Sequence, residues 1–100
     1  MAYKLRYLPA VTKDMFEADA YMSEHSPDMA RRFFVLLNEK LLQLQTTPLM
    51  YQVYREYPVY RRVVIMDYLV FYIVNETEQT VDVHRIINGK MHIIKQLLDS

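Results

Sequence analysis

The tripeptide Ser26-Pro27-Asp28 constrains this chain more than any other feature, because it splits one long helical pattern into two with almost nothing between them. Ser26 suits a capping position. Pro27 suits the first helical position, where a missing N–H costs nothing, and Asp28 suits the positive end of the helix dipole. Upstream, Val11, Met15, Ala18 and Met22 fall on one helical stripe, with Thr12 as a candidate N-cap and Asp14 and Glu17 near the helix start. Downstream, Ala30, Phe34, Leu37, Leu41 and Leu44 step by four and three until Thr46-Thr47-Pro48 ends the pattern. Two amphipathic helices joined this tightly must fold back as an antiparallel hairpin, and their apolar stripes need a surface to cover.

That surface is a sheet. Tyr3 to Leu8 alternates, with Tyr3, Leu5 and Tyr7 on one side and Lys4 and Arg6 on the other, until Pro9 ends the strand. Val59 to Ile65 is rich in β-branched residues, Met66-Asp67 makes a turn, and Tyr68 to Val74 is apolar enough to be buried on both faces. Asn75 to Gln79 is a polar hairpin loop, and Thr80 to Ile87 is the last strand. Gly89, the only glycine, is expected where the backbone needs a positive φ. Lys90 to Leu98 forms a short terminal helix with Ile93, Ile94, Leu97 and Leu98 apolar. The connection from Pro48 to Pro58 holds Tyr51, Tyr54 and Tyr57. It reads as a loop pinned over the sheet by amphipathic rings in preference to an aromatic contact surface. The order β-α-α-β-β-β-(α) therefore predicts one α+β domain over residues 1–100, with the helical hairpin on one face of a mostly antiparallel sheet.

Several functions are excluded or made unattractive by composition. The chain lacks cysteine, which removes disulfides, thiolate zinc sites and thiol nucleophiles. His25, His84 and His92 have no recognised ligand spacing, and one glycine cannot build a phosphate-cradling loop, so neither metal nor cofactor is expected. Twelve basic and twelve acidic residues cancel, so no global field draws the protein to nucleic acid or an anionic membrane. The N-terminus carries no signal-peptide pattern, and the run Tyr68 to Val74 is too short to span a bilayer. A soluble, complete, cytoplasmic protein is the expectation.

The second half carries more specific patterns. Tyr60-Arg61-Arg62-Val63, then Asp67-Tyr68-Leu69-Val70-Phe71-Tyr72, then Val81-Asp82-Val83-His84-Arg85-Ile86-Ile87-Asn88-Gly89-Lys90 resemble the RelE/ParE toxin family of type II toxin–antitoxin systems. Members typically show an arginine in the second strand, an aromatic and β-branched third strand, and an arginine followed by a Gly-Lys or Gly-Arg pair leaving the fourth. The spacing of Tyr3, Tyr7, Pro9 and Asp14 is similar too. The resemblance spans essentially the whole chain. It implies a two-layer toxin fold and a cognate antitoxin encoded next door, whose flexible segment folds along the toxin as a helix in a groove or an added strand. A heterotetramer or larger complex with antitoxin is an expected assembly.

The family divides in activity. The RelE branch cleaves messenger RNA in the ribosome, which needs a base for the 2′-hydroxyl, cations for the developing charge and an acid for the leaving oxygen. The ParE branch poisons DNA gyrase by binding, and needs no catalytic constellation. Here Leu69 stands where RelE-like strands tend to carry arginine, Met91 stands where a basic residue usually follows the Gly-Lys pair, and the tail Gln96-Leu97-Leu98-Asp99-Ser100 lacks a terminal tyrosine or histidine. A neutral chain also lacks the counterion-release contribution that drives binding to RNA. The leading expectation is a ParE-like toxin that inhibits growth by binding a target such as gyrase. The alternatives are a ribosome-dependent mRNA endoribonuclease and a degenerate member that only binds antitoxin.

If the protein is a ribonuclease, Arg61, Arg85, His84 and His92 are the catalytic candidates. For target or antitoxin binding the candidates are Arg61, Arg62, Tyr68, Arg85, Lys90, Met91 and His92. Arg61 and Arg62 point to opposite faces of their strand. Arg85 shares alternation with Val81, Val83 and Ile87, so it is either a phosphate ligand or a partly buried arginine paired with a carboxylate. His84 alternates with Asp82 and is expected to be solvated, or to move protons near neutral pH.

Overall fold

The computed structural model describes residues 2–90 and 93–98. The elements are β1 (Lys4–Tyr7), α1 (Pro9–His25), α2 (Pro27–Leu44), β2 (Arg61–Ile65), β3 (Tyr68–Asn75), β4 (Thr80–Asn88) and α3 (Ile93–Leu98). The sheet runs β1-β4-β3-β2; β1 pairs with β4 in parallel and the other pairs are antiparallel. The predicted α+β order is therefore present, with one parallel pair closing the sheet.

Ser26 ends one helix and starts the next: its N–H reaches the Met22 carbonyl, and its hydroxyl accepts the Met29 N–H. α1 begins earlier than its periodicity suggests. Pro9 opens it and Leu8 precedes it without a side-chain cap, so Thr12 lies inside the helix and caps nothing. The fixed φ of proline starts the helix where a hydroxyl was expected to. In α2 the fully buried ring is Phe33, not Phe34; Phe33 packs on Tyr68 at 5.1 Å between ring centroids and meets Phe34 edge-on. Phe34 lies at the margin of the stripe, one position of rotation from its centre.

Two apolar layers flank the sheet. The larger joins Val11, Ala18, Met22, Phe33, Leu37 and Leu41 of the hairpin to Val63, Val70, Tyr72, Val81 and Val83. The smaller lies on the opposite face, where Tyr54, Tyr60 and Leu97 cover Leu69, Phe71 and Ile87. The tyrosine loop is thus pinned over the sheet as expected, with Tyr54 edge-on to Phe71 at 4.9 Å. β3 is buried on both faces over its first five residues, which accounts for its unbroken apolar run. Burial pushes the Tyr72 hydroxyl up to about 12 against the nearby Arg61 charge, and that hydroxyl donates to the Pro48 carbonyl at 3.2 Å.

The alternation in β4 breaks once. Phe71 faces Arg85 and Tyr72 faces Val83, so His84 is the extra residue of a β-bulge. After it the faces exchange: Ile86 joins Val81 and Val83 beneath the hairpin, while Ile87 turns to the opposite layer. The simple parity of Val81, Val83, Arg85 and Ile87 therefore does not hold.

Gly89 departs from expectation as well. Its φ is not positive, whereas Met66 (φ 55°) and Gln79 (φ 56°) adopt the left-handed conformation at the two hairpin turns. Gly89 is needed for close approach: its N–H donates to the Asp67 carbonyl at 2.7 Å, and a Cβ there would sit 3.2 Å from that oxygen.

Candidate functional site

β1 is four residues long, and its pairing with β4 ends at Tyr7 and Val83. Pro9 then turns the chain into α1, leaving the later part of the β4 edge without a strand on that side. Asp14 of α1 occupies the place a strand would have taken. Its carboxylate accepts the Ile86 N–H at 2.8 Å, and Oδ1 and Oδ2 accept the Nη2 and Nε protons of Arg85, each at 2.8 Å. The Arg85 Nη1 also donates to the Gln96 carbonyl of α3. Arg85 therefore ties the sheet to α1 and α3 at once, with a planar fork matched to a carboxylate. Of the two readings open for Arg85, the carboxylate-paired one is what the structure contains.

Sequence reasoning placed Asp14 on the helix dipole and missed this role. The signal was available: Asp14 interrupts an apolar stripe, and α1 buries Val11, Asp14, Ala18 and Met22.

His84 is the bulged residue itself, next to Arg85. It is half-buried, edge-on to Tyr60 with centroids 5.2 Å apart, and its Nδ1 lies 3.5 Å from the Tyr60 hydroxyl. Burial lowers its pKa from the usual value near 6.5; the Asp82 charge opposes that shift and Arg6 adds to it. Asp82, two residues earlier, is held by Arg6 at 2.9 and 2.7 Å, and Arg6 also reaches Glu78 at 2.9 Å. Burial pushes the Asp82 carboxyl up, but the hydrogen bonds and charge of Arg6 outweigh it and keep its pKa below the ordinary value. The expectation that His84 is simply solvated is corrected by its contact with Tyr60.

The remaining candidates are scattered. Arg61 faces the hairpin side and donates to the Tyr51 carbonyl at 2.7 Å. Arg62 is exposed on the opposite side, with its guanidinium 5.6 Å from the centre of the Tyr54 ring. Tyr68 is buried beneath Phe33. Lys90 is exposed at the β2–β3 turn, 3.9 Å from Asp67. Met91 and His92 lie outside the described residues. His84 and Tyr60 are brought together, but Arg61, Arg62 and Lys90 are not gathered around them.

Two clefts flank this framework. One, of about 260 Å³, lies between α1 and the end of β4, lined by Glu17, Tyr21, Tyr68 and Asn88. The other, of about 390 Å³, is a shallow groove on the hairpin lined by Thr12, Met15, Phe16, Asp19 and Phe34. Among the described residues no cluster of histidines and carboxylates is placed to hold a metal ion, and no helix is long and apolar enough to cross a membrane.

With this geometry in view, the chain matches the family model described as the ParE toxin of the type II toxin–antitoxin system parDE, over residues 5–93. The protein belongs to the ParE toxin family. Its fold is similar to that of a chain in the toxin–antitoxin complex RelBE2 from Mycobacterium tuberculosis, with a TM-score of 0.63 and 16% identity over 88% of this chain and 99% of that one. Comparison with curated proteins gives no match. The resemblance read from the second-half motifs is thus borne out, as is the RelE/ParE-like architecture of two helices packed on a four-stranded mixed sheet. The protein is a toxin of the RelE/ParE type from a type II toxin–antitoxin system.

Proposed function

We propose that this ParE-family toxin restrains growth by binding its target, with DNA gyrase the leading candidate, and that a cognate antitoxin silences it. The observation that carries the binding reading is the Asp14–Arg85 pair. The arginine that would serve best as a phosphate ligand has its Nε and Nη2 on a carboxylate and its Nη1 on a backbone carbonyl. On the same face of the sheet, Tyr54, Tyr60 and Leu97 cover Phe71 and Ile87. A phosphodiester cleavage site needs convergent cations and an acid–base pair around open space. This face offers a covered apolar layer.

An antitoxin partner is supported by the RelBE2 likeness, in which the neighbouring fold is part of a toxin–antitoxin complex. On this protein the hairpin groove suits an amphipathic helix, since Phe16 projects beside it with 74% of its surface exposed.

The second reading, ribosome-dependent RNA cleavage, is favoured by one observation. His84 is a half-buried imidazole with lowered pKa beside the Tyr60 hydroxyl, which suits a base near neutral pH. A paired assay separates the two. Purified toxin is added to a gyrase supercoiling reaction and to a translating extract. Inhibited supercoiling with intact message supports the binding reading; cleaved message with normal supercoiling overturns it in favour of the nuclease.

A further inference from the structure

The chain is neutral as a whole, but its charge is unevenly placed. Lys40, Arg55, Arg61 and Arg62 surround the loop that crosses the β2 edge, with Glu56 as the acidic residue in that loop. This leaves eight basic against eleven acidic residues in the rest of the chain. None of the four cations has a carboxylate within ion-pair distance among the described residues, while Arg6, Lys13, Arg31, Arg85 and Lys90 each do.

The loop positions these charges. Val53 bridges to Arg61, and the Arg62 N–H donates to the Gln52 carbonyl, so residues 52 and 53 run along the edge of β2. Tyr51 lies on the hairpin side and Tyr54 on the opposite side. Lys40 sits over the Tyr51 ring at 5.9 Å and Arg62 over the Tyr54 ring at 5.6 Å. Arg61 is anchored by the Tyr51 carbonyl through Nη1, and its remaining donors are not used by any hydrogen bond among the described residues. Val53 stands at this rim with 41% of its surface exposed, beside cations held on either side of the edge.

We propose that this rim is a docking surface for an acidic segment of a partner protein, in which an apolar residue flanked by carboxylates seats on Val53 between the cations. Charge complementarity selects the partner's sign. The rings argue against single-stranded nucleic acid. Base recognition by stacking needs open aromatic faces, and here Lys40 and Arg62 already lie over the Tyr51 and Tyr54 rings. Pre-positioned guanidinium groups match carboxylates, whose two oxygens accept in the plane of the fork. The inference does not depend on which target the toxin inhibits.

The test uses the full chain and a fluorescein-labelled peptide, Glu-Glu-Leu-Glu-Glu-Leu, followed by fluorescence anisotropy. A peptide with glutamine in place of glutamate and a twelve-nucleotide oligothymidine are run in parallel. Binding of the glutamate peptide, weakened by added salt, at least tenfold stronger than the glutamine peptide and reduced about tenfold by Arg62→Glu or Lys40→Glu, is the expected result. Arg62 is exposed and Lys40 half-buried, and Arg55→Glu provides a further exposed variant; each variant's melting temperature is compared with the parent. No binding of the glutamate peptide at millimolar concentration overturns the proposal. So does equal binding of the two peptides, or tighter binding of the oligothymidine that is lost in the same variants.

Discussion

The Asp14 carboxylate and the Arg85 guanidinium meet through two hydrogen bonds of 2.8 Å, across 71 positions of sequence. Both side chains are largely out of solvent, at 5% and 13% exposure, so neither charge has water to fall back on. Removing one partner of such a pair strands the other. Asp14→Ala and Arg85→Ala are each expected to cost roughly 3–5 kcal/mol in urea unfolding. The double variant Asp14→Leu with Arg85→Met should cost clearly less than the two single losses added together. Arg85→Lys should not rescue, because an ammonium cannot match the fork. A single-variant loss under 1 kcal/mol would contradict the structural role.

Phe33 and Phe34 offer a direct contrast in the same helix. Phe33 is fully buried, and Phe33→Ala is expected to cost about 3–5 kcal/mol. Phe34 is only partly covered, and Phe34→Ala should cost less than half of that. Equal losses in thermal or urea melts would mean that the stripe is rotated from its observed position.

The turns allow a prediction of opposite sign. Gln79 holds a φ of 56°, which is strained for a residue with a Cβ. Gln79→Gly should raise stability by roughly 0.5 kcal/mol, the left-handed strain outweighing the added freedom of the unfolded chain. Gly89→Ala should lower it, because the new methyl meets the Asp67 carbonyl at 3.2 Å. A destabilised Gln79→Gly variant would show that the side chain contributes more than its backbone costs.

Acid should weaken the fold in two stages. His84 has a lowered pKa, so the unfolded chain takes up its proton first, and stability falls as pH drops below about 6.5. Asp82 also has a lowered pKa, so its stabilisation is present above the usual carboxylate value of about 4 and is lost as pH falls through the depressed one. Melting temperatures between pH 8 and pH 3 should therefore fall in two steps. His84→Gln should flatten the first and Asp82→Asn the second. A first step unchanged in His84→Gln would assign it elsewhere.

The hairpin groove can be tested by partner binding. Phe16 is exposed and contributes little to the core, so Phe16→Asp should leave the melting temperature within about 2 °C while weakening antitoxin binding at least tenfold. Unchanged affinity in a titration would move the antitoxin to another surface.

What the sequence revealed follows from how local each signal was. The Ser26-Pro27 junction, the apolar run of β3 and the second-half motifs act over short stretches, and each fixed an element or the family. The Asp14–Arg85 contact joins distant parts of the chain, and only a polar residue in an apolar stripe hinted at it. The bulge at His84 adds one residue without any glycine or proline to mark it, so simple alternation assigned Ile87 and Arg85 to the wrong partners. Phe33 and Phe34 are adjacent and equally apolar, and only packing decides between them. The cations at the β2 edge are drawn together only by the loop from Pro48, which brings Tyr51 and Tyr54 to either side of that edge.

The strand order has a consequence for synthesis. β4 lies between β1 and β3, so the first strand made must wait for the last strand before it can pair. Pairings between such distant segments form late, after the entropy of closing the intervening chain has been met. A chain made only as far as β3 holds the helical hairpin and the β2–β3 pair, with the seat between β1 and β3 empty. The sheet therefore closes in one step at the end, because a single strand, β4, supplies the partner of both β1 and β3.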